Sequence, residues 1–291
     1  MVKDMLREER IKYFFLLPSV VMILSFVIFP LIYSLYLSLT DWQIGKIPSF
    51  IGLSNYFKVF TDYRVHNSLT FTLLFTIFTV SVETLFALGV AILSQQRFFG
   101  NRFFRVLFTA PFFTCPVALS YLSITIFYEE GGPLNNLLKL LFDIKVPWIS
   151  DPNYAFLSLC IVDIWQWTPF LYIIFLAGLE SLPKEPYEAA TIDGASAFQI
   201  FRYVTIPLLT PVIITGVLLK IIESLKVFDI IYALTGGGPG VSTESYTMYI
   251  YKTGFRFFRL GYAAALSFIL LIILMILFTV LAFRLREVYY E

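Results

Sequence analysis

Six long, predominantly apolar stretches alternate with short polar intervals: about Tyr13 to Leu37, Leu69 to Leu93, Phe103 to Phe127, Tyr154 to Leu179, Leu208 to Ala233 and Tyr262 to Phe283. Inside lipid every backbone N–H and C=O must be satisfied within its own segment, so an apolar run of about 20 residues predicts a membrane-crossing helix. The pattern predicts an all-α, polytopic membrane protein with six transmembrane helices. It forms one domain over residues 13–291, preceded by a cytoplasmic N-terminus of residues 1–12. The first run follows basic residues, as in a signal peptide. It continues well past the usual length, however, without a convincing small-residue cleavage site, and it is read as a retained first span.

Orientation follows from the polar intervals. With the N-terminus inside, the cytoplasmic segments hold Lys3, Arg7, Arg10 and Lys12, then Arg97, Arg102 and Arg105, then Lys184 and Arg202, and finally Arg284 and Arg286. The longer external segments hold Lys46, Lys58, Arg64, Lys139, Lys145, Lys252, Arg256 and Arg259. The positive-inside rule therefore favours both termini in the cytoplasm, with Arg256 and Arg259 pulling the other way. Trp42 and Trp148 fall near predicted outer boundaries, where an amphipathic ring prefers the headgroup level. Composition agrees with a lipid environment: 58% of the 291 residues are hydrophobic and 14% are charged, against about 25% charged in ordinary globular domains. A net charge of +1 gives no electrostatic footprint for nucleic acid.

The connection between spans four and five is long for a helical bundle, where 2 to 8 residues are usual. Pro186 can open a helix through Tyr187, Glu188, Ala189 and Ala190. Gly194 can end it in a left-handed cap, and Ser196 with Gln199 can form a capping box for a second helix. Pro207 and Pro211 mark the rise into span five. The small Ala189 and Ala190 allow close approach by another protein, and Glu188 and Asp193 offer charges to it. The residues alone fit an interfacial amphipathic helix equally well.

Glu188-Ala189-Ala190, Gly194, Val204 and Ile206-Pro207, in their spacing, closely resemble the EAA signature of importer permeases of the ATP-binding cassette (ABC) superfamily. Val204 and Ile206 stand where the family usually has Ile and Leu. Further text, FIGLSNYFKVF, FFRVLFTAPFFTCPVALS and VFDIIYALTGGGPGVSTESYTMYIYKTGFRFFRLGYAAALS, is similar to the carbohydrate-type branch, which includes the maltose-transporter membrane subunits and the glycerol-3-phosphate permease. The resemblance covers nearly the whole chain. Extra N-terminal helices and the large external domain of the longer maltose-type subunit have no counterpart, so the minimal six-helix form is expected. The resemblance implies a type I ABC importer permease fold in a prokaryotic inner membrane, with the loop at residues 182–207 acting as a coupling helix. Glu188, Ala189, Ala190, Asp193, Gly194 and Pro207 are its expected ATPase-coupling residues. Implied partners are a second six-helix permease, two ATPase subunits that bind ATP and Mg, and an extracytoplasmic binding protein. Implied function is alternating-access import of a sugar or oligosaccharide, with glycerol 3-phosphate or a polyol as the alternative.

Ionisable residues within spans are costly and usually face a bundle interior or a water-filled path. In span five, Lys220, Glu223, Ser224 and Val227 follow helical i, i+3, i+4, i+7 spacing, with Lys226 and Asp229 on another face. In span four, Asp163, Gln166, Trp167 and Phe170 share a face that combines hydrogen-bonding groups with flat rings suited to a sugar. The family's sugar-contacting positions fall, by resemblance, on these same faces, and both sets are the candidate substrate path. The alternative is structural: Lys220 paired with Glu223, and Lys226 with Glu223 or Asp229. Glu83 in span two is a lone acid, better suited to a hydrogen bond with a neighbouring helix. Phe112, Phe113 and Tyr121 suit packing better than path lining.

Several features exclude other chemistry. Gly236 to Gly240 lacks the Gly-Lys-Ser/Thr ending of a phosphate loop and reads as an external turn, near a docked binding protein by resemblance. With His66 as the single histidine there is no His-rich metal site, and no Ser-His-Asp triad is expected. Cys115 and Cys160 sit in apolar runs without metal spacing. No catalytic residue, metal ligand or cofactor is expected in this chain. An ion-coupled secondary transporter using Glu83, Asp163 or Asp229 is a further reading, but no inverted repeat with broken helices is evident.

Overall fold

A computed structural model describes residues 15–96 and 99–290, with side chains described through residue 280 and at Phe283. In chain order the helices are α1 (Phe15–Ser38, with a π-helical turn at Leu24–Ile28), α2 (Ser54–Val59), α3 (Tyr63–Gln95), α4 (Asn101–Thr109), α5 (Pro116–Ile126), α6 (Pro133–Phe142) and α7 (Pro152–Ser181). They continue with α8 (Glu185–Ile192), α9 (Ala197–Ile200), α10 (Ile206–Leu225), α11 (Asp229–Leu234), α12 (Tyr246–Tyr251) and α13 (Leu260–Tyr290). Five helical stretches are long and apolar enough to cross a membrane, and a sixth is gained when α4 and α5 are taken as one bent span. Tyr13, the basic residues Lys3, Arg7, Arg10, Lys12 and Arg97, and the side chains of Arg284 and Arg286 lie outside the described residues.

Two predicted spans are not continuous helices. Span three turns through 97° between Asn101–Phe113 and Pro116–Ile126. Pro111 and Pro116 each lack an N–H, and Thr114 and Cys115 take extended backbone angles between them. The side-chain amide of Gln166 on α7 donates to the Thr114 carbonyl at 3.1 Å, replacing a helical hydrogen bond at the corner. Span five stops at Leu225 and resumes as α11 at Asp229, so Val227 does not continue the helical face of Lys220 and Ser224. Its backbone carbonyl instead accepts from the Ser245 hydroxyl at 2.8 Å.

The described residues divide into two compact units, one built from the chain up to residue 62 together with residues 250–272 and the other from residues 63–249 together with the chain from residue 273. In the first, the apolar side chains of α1 are uncovered along its length. Buried Asn55 caps the end of α1 by donating to the carbonyls of Ser38 and Thr40, each at 2.9 Å. A Cβ at Gly261 would collide with the Thr40 carbonyl oxygen, so only glycine fits there. Tyr262 donates its hydroxyl to Asp62 at 2.8 Å, and its ring lies beneath Lys58 and Arg259.

The second unit is built on α3, α7 and α10. Ala87, Ala91, Leu171, Tyr172, Phe175, Leu176, Leu179 and Leu209 form its buried apolar cluster. Small residues let helix backbones approach in a membrane, where dispersion contacts substitute for the hydrophobic effect. A Cβ at Gly178 would meet Val212 Cγ1 at 2.8 Å and Leu209 Cδ1 at 2.9 Å, and one at Gly216 would meet Phe175 at 3.2 Å. Trp148 is not an interfacial anchor: it is buried, and its indole N–H donates to Asn135 Oδ1 at 2.9 Å. Asn135 also donates to the carbonyls of Glu129 and Val146, stitching the loop around α6 together.

Candidate functional site

The segment after α7 folds as its sequence dictates. Pro186 sits in the first turn of α8, where a missing N–H costs nothing, and Glu185 and Glu188 face the positive end of that helix. Gly194 takes φ 75°, the left-handed conformation that L side chains avoid. Ser196 then caps α9 in a reciprocal box, accepting from the Gln199 N–H at 3.4 Å while Gln199 Oε1 accepts from the Ser196 N–H at 2.8 Å. A π-helical turn at Phe201–Thr205 leads into α10, with Pro207 in its first turn. The Tyr187 hydroxyl bonds to Thr205 Oγ1 at 3.1 Å, closing the two arms on each other. Glu188, Ala189, Asp193, Gly194 and Pro207 are exposed and Ala190 is half-buried. A shallow concavity of about 330 Å³ runs past Ala190, Asp193, Gly194 and Tyr203. Tyr203 lines it and exposes 74% of its surface, and Ile192 and Phe198, each next in sequence to a lining residue, expose 85% and 72%.

The polar centre lies between α3, α7 and α10. Lys220 donates to Asp163 Oδ2 at 2.9 Å and sits 3.3 Å from Glu83 Oε1, and all three side chains are almost wholly buried. The ammonium also lies 4.7 Å from the centroid of the Trp167 ring, a cation–π distance. Trp167 belongs to an aromatic group with Phe112 at 5.7 Å and Phe170 at 5.8 Å. Lys220 therefore pairs between helices with Asp163 and Glu83, not along its own helix with Glu223. Glu83 is not isolated. A single sequence window cannot show that three residues 57 to 137 positions apart meet at one nitrogen.

Beside this cluster is a small polar cavity of about 90 Å³ bordered by Asp163, Trp167, Lys220, Glu223, Lys226 and Asp229, among others. Lys226 and Glu223, both half exposed, pair at 2.7 Å. Val227 also borders it, from the break rather than from a helical face. Gln166 is buried, its amide N–H used at the corner and its Oε1 without a hydrogen bond; the buried Ser224 hydroxyl likewise makes none. Phe170 reaches the site through its ring contacts with Trp167 and Phe112. Among the described residues no group of His, Cys, Asp and Glu side chains is arranged to hold a metal ion.

Apolar helices α3, α7 and α10 packed around a buried polar centre have the character of a membrane subunit. Residues 83–289 match the family described as binding-protein-dependent transport system inner membrane component, and the chain belongs to that family. It is 37% identical over 286 residues to the probable ABC transporter permease protein y4oQ of Sinorhizobium fredii, covering 96% of this chain and 92% of that one. It is 36% identical over 280 residues to the trehalose/maltose transport system permease protein MalF of Thermococcus litoralis, covering 94% and 92%. Among solved structures, a bacterial ABC transporter involved in the import of the acidic polysaccharide alginate has a chain that superposes with a TM-score of 0.85 over 98% of both chains; at 20% identity this likeness shows the fold alone. The chain is thus a multi-pass inner-membrane permease subunit, and ATP hydrolysis falls to a separate ATPase subunit.

Proposed function

We propose that this chain is one permease subunit of an ATP-driven importer for a neutral sugar or oligosaccharide. It works with a second six-helix permease, two ABC ATPases that bind ATP and Mg²⁺, and an extracytoplasmic binding protein that delivers the solute. Its termini face the cytoplasm, and the loop at residues 182–207 docks on an ATPase through Glu188, Ala189, Ala190, Asp193, Gly194 and Pro207. The exposed Tyr203 at that concavity, with Ile192 and Phe198 exposed near it in the chain, favours a protein surface over water. Movement of the ATPase dimer is carried through this loop into α7 and α10, which it joins directly, and the path through Asp163, Gln166, Trp167, Phe170, Lys220, Glu223, Ser224 and Val227 alternates between the two sides.

The observation that carries the solute class is the charge balance at the polar centre. Lys220 is matched by Asp163 and Glu83, and Lys226 by Glu223, which leaves no unmatched cation among these residues to receive a phosphate. Flat rings at Trp167, Phe170 and Phe112 suit the apolar faces of a sugar. This favours saccharide over glycerol 3-phosphate, and the transport of trehalose and maltose by the Thermococcus litoralis relative points the same way. The test is uptake by proteoliposomes holding the full complex and its binding protein, offered trehalose, maltose and glycerol 3-phosphate in turn. ATP-dependent uptake of a sugar, lost on Glu188→Arg, is expected. Uptake that persists without ATP and collapses with an uncoupler would overturn the importer reading, and uptake of glycerol 3-phosphate alone would overturn the solute class.

A further inference from the structure

The buried cluster holds one acid more than its cation needs. Asp163 already gives Lys220 a hydrogen-bonded counter-ion at 2.9 Å. Glu83 adds a second carboxyl group, fully buried, whose Oε1 lies 3.3 Å from the Lys220 nitrogen, a longer and less well-aligned contact than that of Asp163. A second buried carboxyl group beside one cation is costly to keep, and charge neutrality does not call for it. What it does supply is direction. Asp163 draws the ammonium from α7 and Glu83 draws it from α3, while Lys220 itself is anchored on α10. The nitrogen is thereby fixed at a point 4.7 Å from the centre of the Trp167 ring.

Trp167 follows Asp163 by four residues, so the two share a face of α7 one turn apart, and Lys220 spans both. The ring borders the polar cavity, which Glu223 and Lys226 also line, and it contacts Phe112 and Phe170. An ammonium held over an indole face resists rotation of that ring away from it. We propose that Glu83 is a positioning residue that sets the orientation of Trp167 through Lys220, and through that ring the affinity for solute. The affinity part rests on the reading that Trp167 lies on the solute path.

The experiment uses the complete transporter in nanodiscs with 5-fluorotryptophan incorporated. The Trp167 resonance is identified by its loss in Trp167→Phe, and that of Trp165, two residues away, by its loss in Trp165→Phe. Glu83→Gln keeps the side-chain shape and removes the carboxyl group. It is expected to move the Trp167 resonance and leave that of Trp165 in place, with Glu83→Asp intermediate. The half-saturating concentration of trehalose for ATP-driven uptake is expected to rise about tenfold with little change in maximal rate, because a displaced ring weakens binding. In a Trp167→Leu background, Glu83→Gln should add nothing further, the signature of two residues acting in series. A Trp167 resonance that stays in place in Glu83→Gln overturns the positioning role. A resonance that moves while trehalose uptake is the same in wild type, Glu83→Gln and Trp167→Leu upholds the positioning role and overturns the solute-path reading. Should Glu83→Gln fail to assemble, Glu83→Asp makes the same measurement with the carboxyl group kept and the reach shortened.

Discussion

The guanidinium of Arg64 closes on the carboxylate of Glu244 through Nε at 3.1 Å and Nη2 at 2.7 Å, and the Glu244 side chain is completely buried. This fork joins the start of α3 to the segment after the glycine-rich turn, and Arg64 also lies 5.1 Å from the centre of the Tyr249 ring. Arg64→Met removes two charge-assisted hydrogen bonds from a buried carboxylate and should cost about 1.5 to 3 kcal/mol. Arg64→Lys keeps the charge but loses the bidentate geometry and should cost less. Equilibrium unfolding of the purified complex measures both, and equal stability for Arg64→Met and wild type would refute the assignment.

Close approach of α7 and α10 gives a steric prediction. Gly178→Val places carbon where Val212 Cγ1 and Leu209 Cδ1 already lie, 2.8 and 2.9 Å from an ideal Cβ. Overpacking of this kind costs about 1 to 3 kcal/mol. The expected result is a lower unfolding midpoint for Gly178→Val, relieved in part by Val212→Ala. If the second change brings no recovery, the contact is not what limits the substitution.

Acid sensitivity should appear in the loop around α6. Burial pushes Glu129 up, but the N–H groups of Ile149 and Ser150, the Ser150 hydroxyl and the charge of Lys145 outweigh it, so its carboxyl sits below the ordinary range. A group lowered on folding contributes stability above its ordinary value and loses that contribution as pH falls through the folded value. Loss of loop structure is therefore expected below about pH 4, visible in the emission of Trp148, whose backbone neighbours Ile149 and Ser150 hold that carboxylate. Glu129→Gln should flatten this acid limb; an unchanged limb would assign it to another group.

Backbone geometry makes the loop after α7 testable without touching a charge. Gly194→Val forces a branched side chain into φ 75° at a cost of about 1 to 2 kcal/mol, and Ser196→Ala removes a cap worth about 1 kcal/mol. Both should reduce co-purification of the ATPase more than they reduce the thermal stability of the permease. Normal co-purification in both variants would separate this loop from ATPase docking.

The long apolar helices were readable because lipid imposes one requirement on every residue of a span, and a one-dimensional window records it. The caps at Gly194 and Ser196 were readable for a similar reason: each acts within three or four residues. Other features depend on distant partners. Glu83 looks isolated in sequence because its cation lies 137 positions away, and Arg64 and Glu244, 180 positions apart, carry no local sign of pairing. The breaks at Thr114–Cys115 and at Lys226–Phe228 were missed although Pro111 and Pro116 flag the first. Hydropathy averages over a corner that keeps its apolar composition, and the compensating donor from Gln166 comes from another helix.

That corner also limits what one subunit can do alone. Beyond the 97° turn, α5 has 11 residues, about 17 Å of helix against a hydrocarbon thickness of about 30 Å. The strongly amphipathic α4, tied by Arg105 to Glu180 at 2.7 Å, has the character of a helix that lies along a membrane surface. A bilayer at this point meets protein through only part of its depth, and the remainder has to be filled by lipid or by a neighbouring subunit. Along this stretch the permease's own wall is shorter than the bilayer it sits in.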